Sequence, residues 1–274
     1  MLPLPWQETL WDSLNSSIEN ERLPHAILIN GPSGIGKMRL AKALAQHLLC
    51  QAELTKYACG SCKGCQLLAA GSHDDISLLE PEEPGKPIKI DAVRKLIDSL
   101  SKTAHQGGWK VAIIAPAEVM NKSAYNALLK NLEEPQKKTL LILVSHRPSL
   151  LSATIRSRCQ QIPMPVPDSA IASQWLTEVT GDQSAVDNVL FLAAGRPLLA
   201  LDYLQSDSLQ ERQNFETLVA NVRRGDISPL DAAQQCLKLD ASQAIDWFSR
   251  YTHRLATTDL AASPIPALFT FADK

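Results

Sequence analysis

Apolar and polar positions along the first part of the chain alternate between two regimes. Short, nearly uninterrupted apolar runs fall at residues 26–30, 111–115 and 140–145, with a weaker one at 76–80. Such runs, bounded by turn residues, suit strands buried on both faces of a sheet. Between them, apolar residues recur every three or four positions over 39–49, from Asp91 through Leu96, Ile97 and Leu100, and over 123–132. That spacing lines one face of a helix, and Asp91 is placed to cap the second of the three. Strands alternating with helices predict an α/β domain on a mainly parallel sheet. Pro163, Pro165 and Pro167 close it, because proline continues neither a helix nor a central strand.

Beyond the prolines every pattern is helical. Segments 170–180, 185–194 and 197–205 form one group, punctuated by Gly181 and Gly195. Segments 209–223, 228–237 and 241–255 form another. The expected organisation is an α/β domain over 1–165, a small helical domain over 166–206 and a second helical domain over 207–274.

Composition narrows the setting without changing that outline. Of 274 residues, 45% are hydrophobic and 20% charged, as in a soluble globular protein. The formal charge of −2 gives no global basic field of the kind that advertises nucleic acid. No apolar run is long enough to span a bilayer, and residues 1–11 lack the features of a signal peptide. A cytoplasmic location with no membrane partner is therefore expected, and the six cysteines read as metal ligands or buried thiols before disulfides.

The chemistry concentrates in two places. Gly31, Gly34, Gly36 and Lys37 follow the first strand and open the first helix, which is the setting of a phosphate-binding loop. Met38 then stands where such a loop needs a Ser or Thr hydroxyl for Mg²⁺, and a thioether is a poor ligand for that cation. The strand at 111–115 ends in Ala115 and Pro116, where a hydrolase needs a carboxylate. Glu118 comes out of register and reads as a surface acid. Hydrolysis at this site is not expected; ATP or ADP held without hydrolysis and an empty loop both stand. Cys50, Cys59, Cys62 and Cys65 have the spacing of a four-thiolate Zn²⁺ site, structural because no coordination position is left open. His47 and His73 flank it and are left out, while Cys159 and Cys236 read as buried thiols.

Four stretches together carry a family resemblance: Leu23-Pro24-His25-Ala26, the four-cysteine insert at 50–65, residues 126–135 (Asn-Ala-Leu-Leu-Lys-Asn-Leu-Glu-Glu-Pro), and Ser157-Arg158-Cys159. The combination resembles the bacterial DNA polymerase III clamp-loader subunits of the AAA+ class, over residues 1 to about 205. The resemblance implies a RecA-like AAA+ sheet with a zinc module, then a helical lid and a helical collar. The collar, with Phe269 and Phe271 near its end, is shorter than expected, by nature or by truncation. Active gamma and tau subunits keep the magnesium machinery that this chain lacks, so it resembles a non-catalytic member within a DNA-directed DNA polymerase holoenzyme. Implied partners are the gamma/tau and delta subunits and, through the assembly, the sliding clamp and primer-template DNA. Arg158 falls at the family's arginine finger, which reaches a neighbouring subunit's ATP, and Arg156 is the residue expected to pair with a local acid. Ser145 falls at a polar sensor position, where a strand-end cap explains it equally well. Leu198 falls at the second sensor, where an arginine would touch phosphate; Arg196 reads as a helix-start surface residue. His25 lies near the family's base pocket but reads as a packed or solvated turn residue. Two alternatives stay open: a self-sufficient ATPase of gamma/tau type, and a zinc-containing DNA-binding module.

Overall fold

The computed structural model describes residues 2–259, apart from positions 54, 84, 106, 107, 184, 207, 238 and 240. Phe269 and Phe271 lie outside the described residues. In chain order the elements are a 3₁₀ turn at Pro5–Gln7, α1 (Glu8–Glu19), β1 (Ala26–Asn30), α2 (Lys37–Leu48), α3 (Lys63–Ala69), β2 (Ile76–Leu79), α4 (Ile90–Ser101), β3 (Lys110–Ile114), a 3₁₀ turn at Ala117–Val119, α5 (Lys122–Glu133), β4 (Thr139–Ser145), a 3₁₀ turn at Pro148–Leu150, α6 (Ala153–Arg158) and β5 (Gln160–Pro163). The helices α7 (Ser169–Thr180), α8 (Val186–Leu192), α9 (Pro197–Gln205), α10 (Ser208–Arg224), α11 (Pro229–Cys236) and α12 (Ala241–Asp259) follow.

The five strands form one parallel sheet in the order β2-β3-β4-β1-β5. Alternate residues of each central strand feed two separate cores. Ile27, Ile29, Val111, Ile113, Leu140 and Ile142 pack with Trp11 of α1 and Leu40 and Leu44 of α2. Leu28, Ala112, Ile114, Leu141 and Leu143 pack with Val93 and Leu96 of α4 and Leu128 and Leu132 of α5. Burial on both faces is why these strands read as continuous apolar runs. The expected parallel sheet with a helical C-terminal part is what the chain forms.

Asp91 does not cap its helix. Lys89 holds the cap position with no side-chain bond, and Asp91 sits in the first turn. There an acid still favours the helix by facing its positive end. One interior device was not legible at all. Lys110 Nζ lies 3.5 Å from Asp75 Oδ1, with side chains 7% and 1% exposed, and donates to the Ser99 carbonyl at 3.0 Å. Asp75 also accepts from the His105 N–H at 2.9 Å, so the buried pair is closed by hydrogen bonds on both sides.

By backbone proximity the chain divides into two units, Met1–Leu201 and Asp202–Lys274. The second has its own centre: Trp247 Nε1 donates to the Tyr203 hydroxyl at 3.2 Å, and Phe215 packs on Trp247. Cys236, expected to be buried, is only half covered, while Cys159 is buried in the first unit and its thiol pushed up to about 11 by burial.

Candidate functional site

The site lies at the C-terminal ends of β1, β3 and β4, the edge of a parallel sheet where ligands of such folds bind. β1 delivers the loop: Asn30 pairs with Ser145, and the Gly31 N–H donates to the Ser145 carbonyl at 3.3 Å. Gly36 caps α2 at φ +90°, where any Cβ would strike Leu4 and Gln7. At Gly34 (φ +78°) a Cβ would come within 2.9 Å of the Leu199 side chain. Both positions therefore require glycine by conformation and by space.

The loop is fixed from three sides. From the N-terminal 3₁₀ turn, Trp6 Nε1 donates to the Ile35 carbonyl and Gln7 Nε2 to the Gly36 carbonyl, each at 2.9 Å. Gln7 is fully buried, and its Oε1 accepts from the Leu4 N–H at 2.9 Å. From the start of α9, the Leu198 N–H donates to the Gly34 carbonyl and Arg196 Nη1 to Ser33 Oγ, each at 3.0 Å. From within, Lys37 Nζ donates to the carbonyls of Gly31, at 2.6 Å, and Pro32. Lys37 is 2% exposed, and burial lowers its ammonium to about 8; nearby Arg196 adds to this and Glu118 opposes it.

Two expectations are corrected here. Arg196 is not a surface residue: it is buried, anchored to the Ala193 carbonyl at 2.9 Å and tied to the loop. Glu118 is not a bystander either. Its Oε1 accepts the N–H groups of His146 at 2.9 Å and Arg147 at 3.1 Å, joining the segment after β3 to the end of β4. Its other oxygen is buried without a hydrogen-bond partner among the described residues, as is Ser145 Oγ. Sequence reasoning also passed over Trp6 and Gln7, although Pro5 at the first position of a helical turn is a start signal.

The remaining chemistry is apolar. Met38 packs against the core beneath the loop, and Ala115 is buried in that core. Leu198 brings to the loop a backbone N–H and an apolar side chain.

Arg158 ends α6 on a different face of the α/β unit from the α1–α2 core. Its Nε and Nη2 donate to Glu133 Oε1 at 2.9 and 2.6 Å, and its Nη1 to the Thr154 carbonyl at 3.2 Å. The local ion pair expected of Arg156 is thus held by Arg158; Arg156 Nε is buried with no partner among the described residues. His25 is a packed turn residue, its Nε2 3.0 Å from the Leu132 carbonyl.

The four cysteines come together. Their Sγ atoms all lie within 4.8 Å of one another, with Cys50 3.5 Å from Cys59 and 3.9 Å from Cys62. Four thiolates around a tetrahedral Zn²⁺ stand about 3.8 Å apart for Zn–S bonds of about 2.3 Å, so this donor set fits the ion. Backbone N–H groups of Ser61 and Cys62 pull the Cys59 thiol down to about 6, while burial pushes Cys65 up to about 12. The insert is gripped from α1: Trp11 Nε1 and Asn15 Nδ2 both donate to the Lys56 carbonyl at 2.9 Å, and Tyr57 stacks on Trp11. His47 packs edge-on to Trp11 and His73 Nδ1 accepts from the Asp75 N–H, and neither histidine joins the four-cysteine group.

Among the described residues no helix is long and apolar enough to cross a membrane. A family model described as DNA polymerase III, delta subunit, matches residues 6–168. DNA polymerase III subunit delta' of Pseudomonas aeruginosa is 42% identical over 250 residues, covering 90% of this chain and 75% of that protein. The subunit delta' of Escherichia coli is 39% identical over 231 residues, 84% of this chain and 69% of that protein. DNA polymerase III subunit tau/gamma of Haemophilus influenzae is 32% identical over 173 residues, 63% of this chain but 25% of that protein. The match runs through the clasped loop, the cysteine insert and the helical part beyond, and the chain belongs to the DNA polymerase III subunit delta' family.

Proposed function

We propose that this chain is a non-catalytic subunit of the DNA polymerase III clamp loader. It supports ATP-dependent loading of the sliding clamp on primed DNA, beside gamma/tau and delta subunits, in the cytoplasm. The observation that carries the reading is the apolar filling of the magnesium positions. Met38, partly buried, packs against the core, and β3 runs into Ala115 and Pro116, so no side chain at these positions offers the oxygen that Mg²⁺ needs. Glu118 is the acid whose charge Lys37 feels, and two backbone amides already hold one of its oxygens.

In this reading Gly31, Gly34, Gly36 and Lys37 hold a nucleotide without hydrolysing it or serve as a structural loop. Arg158 is the residue that acts in catalysis, on the ATP of a neighbouring subunit. A guanidinium suits that task because it stays charged and grips phosphate oxygens in pairs. Cys50, Cys59, Cys62 and Cys65 hold a structural Zn²⁺ that fixes the insert. The organisation proposed is the α/β domain over 1–165, the lid over 166–206 and the collar over 207–274.

The test is reconstitution of the loader with its ATPase subunits. The purified chain alone should turn over no ATP. In the assembly, Arg158→Ala should slow the one site it faces by about 10³-fold or more, removing that site's share of DNA-stimulated turnover. Circular dichroism of the variant should match the wild type. Turnover by the purified chain, or equal turnover in both assemblies, refutes the reading.

A further inference from the structure

We propose that Glu133 is a positioning residue for Arg158, fixing the plane of its guanidinium so that the remaining donors face outward. This rests on the arginine-finger reading above. A guanidinium carries five N–H donors in a rigid fork. Glu133 Oε1 takes one from Nε and one from Nη2, and the Thr154 carbonyl takes one from Nη1. One N–H on each terminal nitrogen is left, which is the number a bidentate phosphate contact uses. The group is thus held on two sides and still two-thirds covered, with 33% of the Arg158 side chain exposed.

The support beneath the pair is rigid. Leu132 is 3% exposed and Ile155 fully buried in one core, and Cys159, the next residue after Arg158, joins them. His25 at the start of β1 meets the Leu132 carbonyl at 3.0 Å, so the residue before Glu133 is tied to the sheet. Glu133 is moreover the last residue of α5, where the helix presents its negative end. An acid there is disfavoured by the helix, and the Arg158 guanidinium offsets that cost. As an exposed ion pair, 33% and 51% open, the contact does little for stability. What it does define is direction.

The experiment uses the reconstituted loader with wild type, Arg158→Ala, Glu133→Ala, Glu133→Gln and the double variant Arg158→Ala/Glu133→Ala. The quantity read is the part of kcat that Arg158→Ala removes. Glu133→Ala should reduce that part about 5-fold with KM unchanged, because orientation is lost and charge is not. Glu133→Gln keeps an acceptor oxygen and should restore most of it. In the Arg158→Ala background, Glu133→Ala should change nothing further, which separates positioning from a general structural effect. Loss from Arg158→Ala with none from Glu133→Ala overturns this inference and leaves the finger reading standing. Faster turnover in Glu133→Ala overturns it too, since the acid would then be restraining the arginine. No loss from Arg158→Ala overturns both.

Discussion

Raising the pH should stabilise this protein through one buried ammonium. Lys37 sits at about 8 in the folded chain against 10.5 for an ordinary lysine, chiefly because burial disfavours its charge. Between those values the unfolded chain keeps a proton that the folded chain has released, so stability rises with pH. The gain is complete above about pH 10.5 and absent below about pH 8. At about pH 9.5 the folded group is about 1.5 units past its midpoint, and at about 1.4 kcal/mol per unit the gain over neutral pH is on the order of 2 kcal/mol. Urea unfolding of wild type and Lys37→Met at pH 7 and about pH 9.5 isolates it, because groups that do not feel Lys37 cancel in the difference, and His146, which does, titrates below this range. The wild type should gain on the variant by that amount, and the gain should shrink in saturating ATP if phosphate oxygens beside Nζ favour its charged form. Parallel profiles for the two proteins, within about 0.5 kcal/mol, would show that the ammonium is not held in the loop as described.

Three other outcomes follow. Fresh, reduced protein should carry one Zn²⁺ per chain, and stripping it should shift tryptophan emission through Trp11, which holds the Lys56 carbonyl; in Trp11→Phe the shift should be lost, and metal-free native protein refutes the site. Lys110→Met should cost about 3–5 kcal/mol by stranding the Asp75 carboxylate, while Asp75→Leu with Lys110→Met should recover most of it; a single-variant loss below about 1 kcal/mol in urea refutes the pairing. Arg196→Ala removes the charged bond to Ser33 and should cost about 1.5–3 kcal/mol, with faster amide exchange at residues 31–36 but not in β4.

Much of the sheet was legible because its central strands are buried on both faces: residues 26–30, 111–115 and 140–145 announce themselves by composition alone. β5 does not, since Ile162 is the one buried position among Gln160, Gln161 and Pro163. α1 carries three serines among its twelve residues, and its buried stripe of Trp11, Leu14 and Asn15 is too thin to stand out. The cysteine spacing and the loop glycines were readable because their geometry is local. Arg196 and Ser33 are 163 residues apart, and no periodicity records that meeting. Glu118 was misread for the same reason: its partners lie 28 and 29 residues downstream, across a strand crossing. The Ser157-Arg158-Cys159 motif separates Arg158 from Arg156, but which of them pairs with an acid depends on the placement of Glu133 at the end of α5, 25 residues upstream of Arg158.

The clasp on the glycine loop bears on how a signal could pass through the chain. A ligand shifts a conformational equilibrium only by preferring one of its states. With Trp6, Gln7, Arg196 and the Leu198 N–H all engaged, the loop is pre-organised and has few alternatives to select among. The α/β domain then resembles a fulcrum more than a switch. In the assembly proposed above, nucleotide in this loop would add little motion of its own, and the end of α6 would move only as the domain is moved.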